Sequence, residues 1–172
     1  MSRGAVVWLT GLPRAGKSTL AQAVRARLAA RGVAAVMLDS DDLRAALSPP
    51  PGYDPQARDD FYTTLGRVAG LIARQGHVVL VPATAHRRRY RDAARELAPV
   101  FVEVHVATPL AACVERDHAG LYTSRARTAV PGAGVEYETP RAPEVTASGG
   151  EDVAAVERIV AFVEPATKER DP

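Results

Sequence analysis

Cysteine occurs once in the 172 residues, at position 113, and lysine twice, at positions 17 and 168. A single thiol excludes an intrachain disulfide and a cysteine-based metal cage, and a chain of this length needs neither staple to bury a core. No apolar stretch approaches the roughly 20 residues of a membrane span, and Ala5–Leu9 is too short for a signal-peptide core. The expected location is therefore the cytoplasm, with no membrane partner. Aromatic residues make up only 5%, and the formal net charge is +2, from 22 Lys+Arg against 20 Asp+Glu. So little charge excludes a general attraction to nucleic acid, and 47% apolar content excludes disorder of the whole chain. One domain spanning residues 1–172 is expected.

What is present is alternation. Apolar runs bounded by turn residues alternate with segments of helical spacing, the pattern of an α/β fold with a mostly parallel sheet and crossover helices. Ala5–Thr10 reads as the first strand. A helix over about 16–31 follows, with Leu20, Val24 and Leu28 on one face and Gly32 as its stop. Val33–Leu38 is the second strand. Asp54-Pro55 reads as an N-cap and first-turn proline for a helix reaching about Gln75. His77–Val81 is the third strand, Arg87–Leu97 a basic helix and Val100–Val106 the fourth strand. Thr108-Pro109 caps the next helix, Glu144–Ala147 gives a short fifth strand, and Glu151–Val163 the last helix. Residues 118–143, rich in Gly and Pro, form a long loop expected to act as a lid. The tail from Lys168 to Pro172 is expected to fray.

The strongest chemical signal is Gly11-Leu12-Pro13-Arg14-Ala15-Gly16-Lys17-Ser18, followed by Thr19, which fits G-x-x-x-x-G-K-[ST] between a strand and a helix. Glycines let the backbone fold into a nest of N–H groups aimed at phosphate oxygens, and the following helix turns its positive end to the same anion. Lys17 neutralises β- and γ-phosphate charge, and the Ser18 hydroxyl coordinates Mg²⁺. ATP and Mg²⁺ are the expected co-substrate and ion.

Asp39 and Asp41 follow the second strand at the carboxyl end of the sheet, where ligands bind in such folds. One suits Mg²⁺ and the other an attacking hydroxyl; Asp42 reads as a helix cap. Arg116 precedes the long loop, placed either to counter charge in phosphoryl transfer or to make a surface ion pair. Arg87-Arg88-Arg89-Tyr90-Arg91 lacks the aromatic series of a nucleic-acid site and reads as a solvated helix face or as anion-binding residues near a helix N-terminus. His86 and Cys113 read as structural residues.

Several segments together resemble the adenylyl-sulfate kinase (APS kinase) family. Gly11-Leu12…Ala15-Gly16-Lys17-Ser18-Thr19-Leu20 is similar to the family's GLSGAGKSTL, and Leu38-Asp39-Ser40-Asp41-Asp42-Leu43-Arg44 to its LDGDNVR. Phe101 to Leu110, continuing through Cys113, Glu115-Arg116-Asp117 and Gly120-Leu121-Tyr122, is similar to FIEVFVDTPLEVCEERDPKGLY. Tyr137-Glu138-Thr139-Pro140 resembles a Y-E-x-P segment. The resemblance implies a parallel five-stranded P-loop NTPase fold, an adenine-binding region at Arg116 and a lid over two nucleotides. It also implies transfer of the ATP γ-phosphoryl group to the 3′-hydroxyl of adenosine 5′-phosphosulfate (APS), and a possible homodimer.

The departures fall on the acceptor side. Phe61-Tyr62-Thr63-Thr64 stands where the family has Asn-x-Arg-Arg, with Arg58 or Arg67 as the available substitutes. Ala85 replaces a phosphorylatable serine, and residues 123–135 lack the family's lysine-rich start. Arg14 replaces a small loop residue. On this reading Lys17, Asp39, Asp41 and Arg116 carry catalysis, Ser18 and Asp39 hold the metal, and Asp41, Arg44, Arg58 and Arg88 meet the acceptor. The forked guanidinium of Arg44 suits phosphate and sulfate. The rivals are a kinase of the same family acting on another small hydroxyl compound, and a nucleotide-binding regulator without turnover.

Overall fold

Strand β1, Ala5–Thr10, is buried along its whole length. Its alternate residues point to two separate cores: Ala5, Val7 and Leu9 to one, Val6 and Trp8 to the other. A strand covered on both faces needs apolar residues at every position, which explains a continuous run in place of alternation. The computed structural model describes residues 3–124 and 128–168; residues 125–127 and the tail expected to fray beyond Lys168 lie outside them.

The remaining elements follow in chain order: α1 (Lys17–Ala29), β2 (Ala35–Met37), α2 (Ser40–Ala46), α3 (Pro55–Arg74), β3 (Val78–Pro82), α4 (Arg88–Leu97), β4 (Phe101–Val106), α5 (Leu110–Glu115), β5 (Val145–Ala147) and α6 (Val153–Lys168). The five strands form one parallel sheet in the order β2-β3-β1-β4-β5. Residues of α1 and α6 belong to the core on one face; Phe61, Tyr62, Leu65 and Ala69 of α3 and Tyr90 and Ala94 of α4 belong to that on the other. This is the expected α/β P-loop fold, in a single domain.

Local chemistry sets most boundaries. Asp54 Oδ1 accepts the Ala57 N–H at 3.0 Å, and Pro55 fills the first turn of α3, as the sequence predicts. α6 starts two residues later than expected and runs on to Lys168. Asp152 Oδ1 accepts the Ala155 N–H at 2.9 Å, and buried Ile159, Val160, Val163 and Ala166 carry the helix through Pro165. β2 is shorter than expected because only Ala35, Val36 and Met37 pair with β3.

The arginine run needs a correction. Arg87 and Arg89 are exposed, as a solvated face requires, but Arg91 is 1% exposed, with Nε donating to Glu103 Oε1 at 2.7 Å, Nη1 to Ala85 O at 2.5 Å and Nη2 to Glu138 O at 2.7 Å. Arg95 pairs with Glu144 at 2.6 Å, and Glu144 Oε2 accepts the Glu103 N–H at 2.6 Å. An ion network with the buried Arg91–Glu103 pair at its centre thus ties α4, β4 and the approach to β5 together. Cys113 is buried, as expected of a small core residue.

Candidate active site

The chain leaves β1 in the middle of the sheet, where the strand order reverses and a crevice opens at the carboxyl ends. Thr10 Oγ1 anchors this edge, donating to Thr84 O at 2.6 Å and sharing a 2.9 Å hydrogen bond with Tyr137 Oη. Residues 11–16 turn sharply into α1. Gly16 takes φ 97°, and a Cβ there would lie 2.8 Å from Gly150 N, so glycine is required twice over. Arg14 is also left-handed, at φ 65°, although it carries a side chain.

Lys17 Nζ donates to Gly11 O at 3.1 Å and Leu12 O at 2.8 Å. Burial takes its pKa from 10.5 down to about 8, against the attraction of Asp41 and Asp39. The folded chain therefore holds fewer protons on Lys17 than the unfolded chain between about pH 8 and 10.5, and stability from this group rises with pH across that window. A polyphosphate beside the ammonium reverses the shift. Binding of Mg-ATP at pH 8.5 should take up a substantial fraction of a proton, and close to none at pH 6.5. Binding heats measured in buffers of different ionisation enthalpy check this, and Lys17→Ala should abolish the uptake.

Ser18 Oγ donates to Asp39 Oδ2 at 2.6 Å, while Asp39 Oδ1 accepts the Asp41 N–H at 2.9 Å. Asp39 is thus the N-cap of α2. The sequence reading gave the capping role to Asp42, and the β-region backbone of Asp39 is what makes it the cap instead. Asp41 is exposed in the first turn of α2, and its carboxylate has no hydrogen-bond partner among the described residues.

A cavity of about 1170 Å³ spreads from this loop, bringing together Pro13, Arg14, Gly16, Lys17, Ser18, Thr19, Asp39, Asp41, Arg44, Arg58 and Arg116. Gly11, Leu12 and Ala15 complete the loop but do not line the cavity; Ala15 is buried, and its carbonyl accepts the Thr108 hydroxyl at 2.6 Å. Arg44 is stacked between Phe61 and Tyr53, at 3.9 and 4.5 Å from the ring centres, and donates to Pro51 O at 3.1 Å and Gly52 O at 2.9 Å. Arg58 is buried and donates to Ala129 O, tying residue 129 to α3. Arg116 is the C-cap of α5. It lines both this cavity and an adjoining one of about 440 Å³ formed with Gly16, Thr19 and residues 148–152.

Arg88 stands apart. Its guanidinium donates to Thr139 O at 3.0 Å and its main-chain N–H to Glu138 Oε2 at 2.7 Å, and it does not line the cavity. Three aromatic residues that sequence reasoning did not assign to the site do line it: Tyr53, Tyr62 and His86. Burial and then the charges of Arg58 and Arg87 take His86 down to about 4, so its imidazole is neutral at pH 7. Tyr53 carried a signal in the sequence, an aromatic residue stranded in a Pro/Gly loop; it is 61% exposed. Tyr62 and His86 carried none, because both lie in segments that serve equally as core.

Among the described residues no three His, Cys, Asp or Glu gather as a metal cluster. One hydroxyl and one carboxylate in contact, Ser18 and Asp39, are an all-oxygen donor set that fits Mg²⁺, whose other positions go to water and phosphate.

A parallel sheet whose central strand runs into this lysine-bearing loop, with acidic residues at the end of the neighbouring strand, defines a P-loop phosphotransferase. The family model for adenylylsulphate kinase matches residues 3–148, and the chain belongs to that family. The chain is 41% identical over 148 residues to an adenylyl-sulfate kinase of Paraburkholderia xenovorans, covering 84% of this chain and 83% of that one. Among solved structures, the Mycobacterium tuberculosis APS kinase in complex with AMPPNP and APS superposes with a TM-score of 0.84 at 32% identity, covering 95% of this chain and 99% of that one. A hexameric APS kinase from Thiobacillus denitrificans matches at a TM-score of 0.69 and 28% identity, over 96% of this chain and 29% of that one. No helix among the described residues is long and apolar enough to cross a membrane.

Proposed function

We propose that the protein transfers the γ-phosphoryl group of ATP to the 3′-hydroxyl of APS, giving 3′-phosphoadenosine 5′-phosphosulfate and ADP. The carrying observation is the single cleft in which Lys17, Ser18, Asp39 and Asp41 face Arg44 and Arg58. The loop amides and Lys17 hold the phosphates of ATP, and Arg116, between the two cavities, holds its nucleoside end and adds positive charge near the transfer. Ser18 and Asp39 would hold Mg²⁺, which when bound neutralises phosphate charge. Both Asp39 oxygens are already engaged, whereas the Asp41 carboxylate is free to accept the proton of the attacking hydroxyl. Arg44 and Arg58 meet the acceptor's anionic end, and Arg88, held against Thr139, supports the segment above it. Closure of residues 118–143 as a lid excludes water and so suppresses ATP hydrolysis.

An ADP-release assay with Mg-ATP and, separately, APS, AMP, nucleosides and small sugars tests the reading. Turnover with APS alone is the expected result. Turnover with another hydroxyl compound instead would favour the rival that the Tyr62–His86 surroundings support, and ATP binding without any turnover would leave a regulator. Arg44→Ala should raise KM for APS at least tenfold while KM for ATP stays within about twofold, and should cost about 1–3 kcal/mol of stability, since two carbonyls and two rings lose their partner. Equal effects on both KM values would reject this division of labour. A cytoplasmic homodimer completes the proposal, the lone buried thiol fitting a reducing compartment; light scattering reads the assembly.

A further inference from the structure

The left-handed backbone of Arg14 disfavours any residue with a Cβ, and glycine would sit there without strain. Strain of this kind persists where the residue is needed. The side chain is 45% exposed and lines the large cavity beside Lys17, Ser18, Asp39 and Asp41. Its partner is Asp117. Arg14 Nε stands 3.5 Å from Asp117 Oδ1, a contact without hydrogen-bond geometry, and that buried oxygen accepts no hydrogen bond among the described residues. Asp117 is fixed by other means: its Oδ2 accepts the Tyr122 N–H at 2.7 Å, and Tyr122 Oη donates to Pro13 O at 2.6 Å. A guanidinium loosely held by a firmly placed carboxylate is parked rather than locked.

Three other cations of the cleft, Lys17, Arg44 and Arg58, already donate to carbonyls. Lys17 is bonded to the carbonyls of Gly11 and Leu12, and Arg116 lies where the two cavities adjoin. Arg44 and Arg58 are held by carbonyls of other loops. Arg14 alone among these arginines is rooted in the phosphate loop, where its side chain both meets Asp117 and lines the cavity.

We propose that the Arg14 guanidinium leaves Asp117 when ATP binds and hydrogen-bonds the γ-phosphoryl oxygens, as a catalytic residue supplied by the phosphate loop itself. The proposal rests on the kinase reading given above. In the transfer, the acceptor hydroxyl oxygen bonds to the γ-phosphorus as the bond from that phosphorus to the β,γ-bridging oxygen breaks. ADP departs with the bridging oxygen, and the hydroxyl proton passes to Asp41. Charge on the three non-bridging oxygens is what a planar fork of N–H donors counters.

Arg14→Gly and Arg14→Lys test this. The glycine variant relieves the left-handed strain but leaves the Asp117 carboxylate without this counter-charge, two opposed effects that should keep its melting temperature within a few degrees of the wild type. Its kcat with Mg-ATP and APS should nevertheless fall about a hundredfold or more, with KM for APS within twofold, and lysine should restore only part of the loss. Calorimetry without an acceptor gives a second readout: the glycine variant should lose about tenfold in affinity for Mg-AMPPNP and keep its affinity for Mg-ADP. Wild-type kcat in the glycine variant, or equal losses for the two nucleotides, would overturn the proposal. Should the wild type show no turnover with APS, the APS reading fails, and the calorimetric comparison alone decides for or against Arg14.

Discussion

Replacing Lys17 with alanine should leave a folded protein whose turnover with Mg-ATP and APS drops by about three orders of magnitude. Fold and activity separate because of where the ammonium lies. Its two hydrogen bonds to Gly11 O and Leu12 O are offset by the burial that draws its pKa to about 8, so its removal is close to neutral for stability. The substrate phosphates, by contrast, lose their lysine. Circular dichroism should give a melting temperature within a few degrees of the wild type, alongside the collapse in ADP release. A variant retaining more than a tenth of the activity would reject the assigned role.

Arg91→Ala should do the opposite, costing about 3–5 kcal/mol of stability, a large share of the 5–15 kcal/mol typical of a domain. The guanidinium satisfies one carboxylate and two carbonyls at once, and alanine leaves Glu103 with only Arg95, at 3.6 Å, as a counter-charge among the described residues. Urea titration reads the loss directly, and a change below 1 kcal/mol would show that the network contributes little. Lysine at this position keeps the charge but not the fork, and should recover less than half. The carbonyls Arg91 holds belong to Ala85, itself left-handed at φ 40°, and to Glu138, whose N–H donates to His86 O at 2.8 Å. Loosening them displaces His86, so KM for the acceptor should rise in any Arg91 variant that still folds.

The fold was legible because its signals are local. Ala5–Thr10, Gly32, Asp54-Pro55 and the spacing of Leu20, Val24 and Leu28 each declare an element within a few residues, and the Gly11–Ser18 pattern declares a loop with chemistry attached. What stayed hidden is long-range or double-valued. Arg91 finds Glu103 across twelve residues and Glu138 across forty-seven, and no periodicity in a basic helix distinguishes a buried arginine from its exposed neighbours. Asp39 and Asp42 are equally good caps on paper; backbone angles chose the former. Tyr62 and His86 look like packing residues in the sequence and pack in the structure, His86 edge-on to Tyr62 and Tyr90, yet they also wall the cleft.

The two oxygens of Asp39 face separate obligations, one to the first turn of α2 and the other to the Ser18 hydroxyl. The segment bearing Arg44 and the loop bearing Lys17 are consequently pegged through a single three-atom group, so displacement of one end pulls on the other. Lengthening that peg by one methylene, as in Asp39→Glu, would throw the two halves of the cleft out of alignment while leaving the charge unchanged.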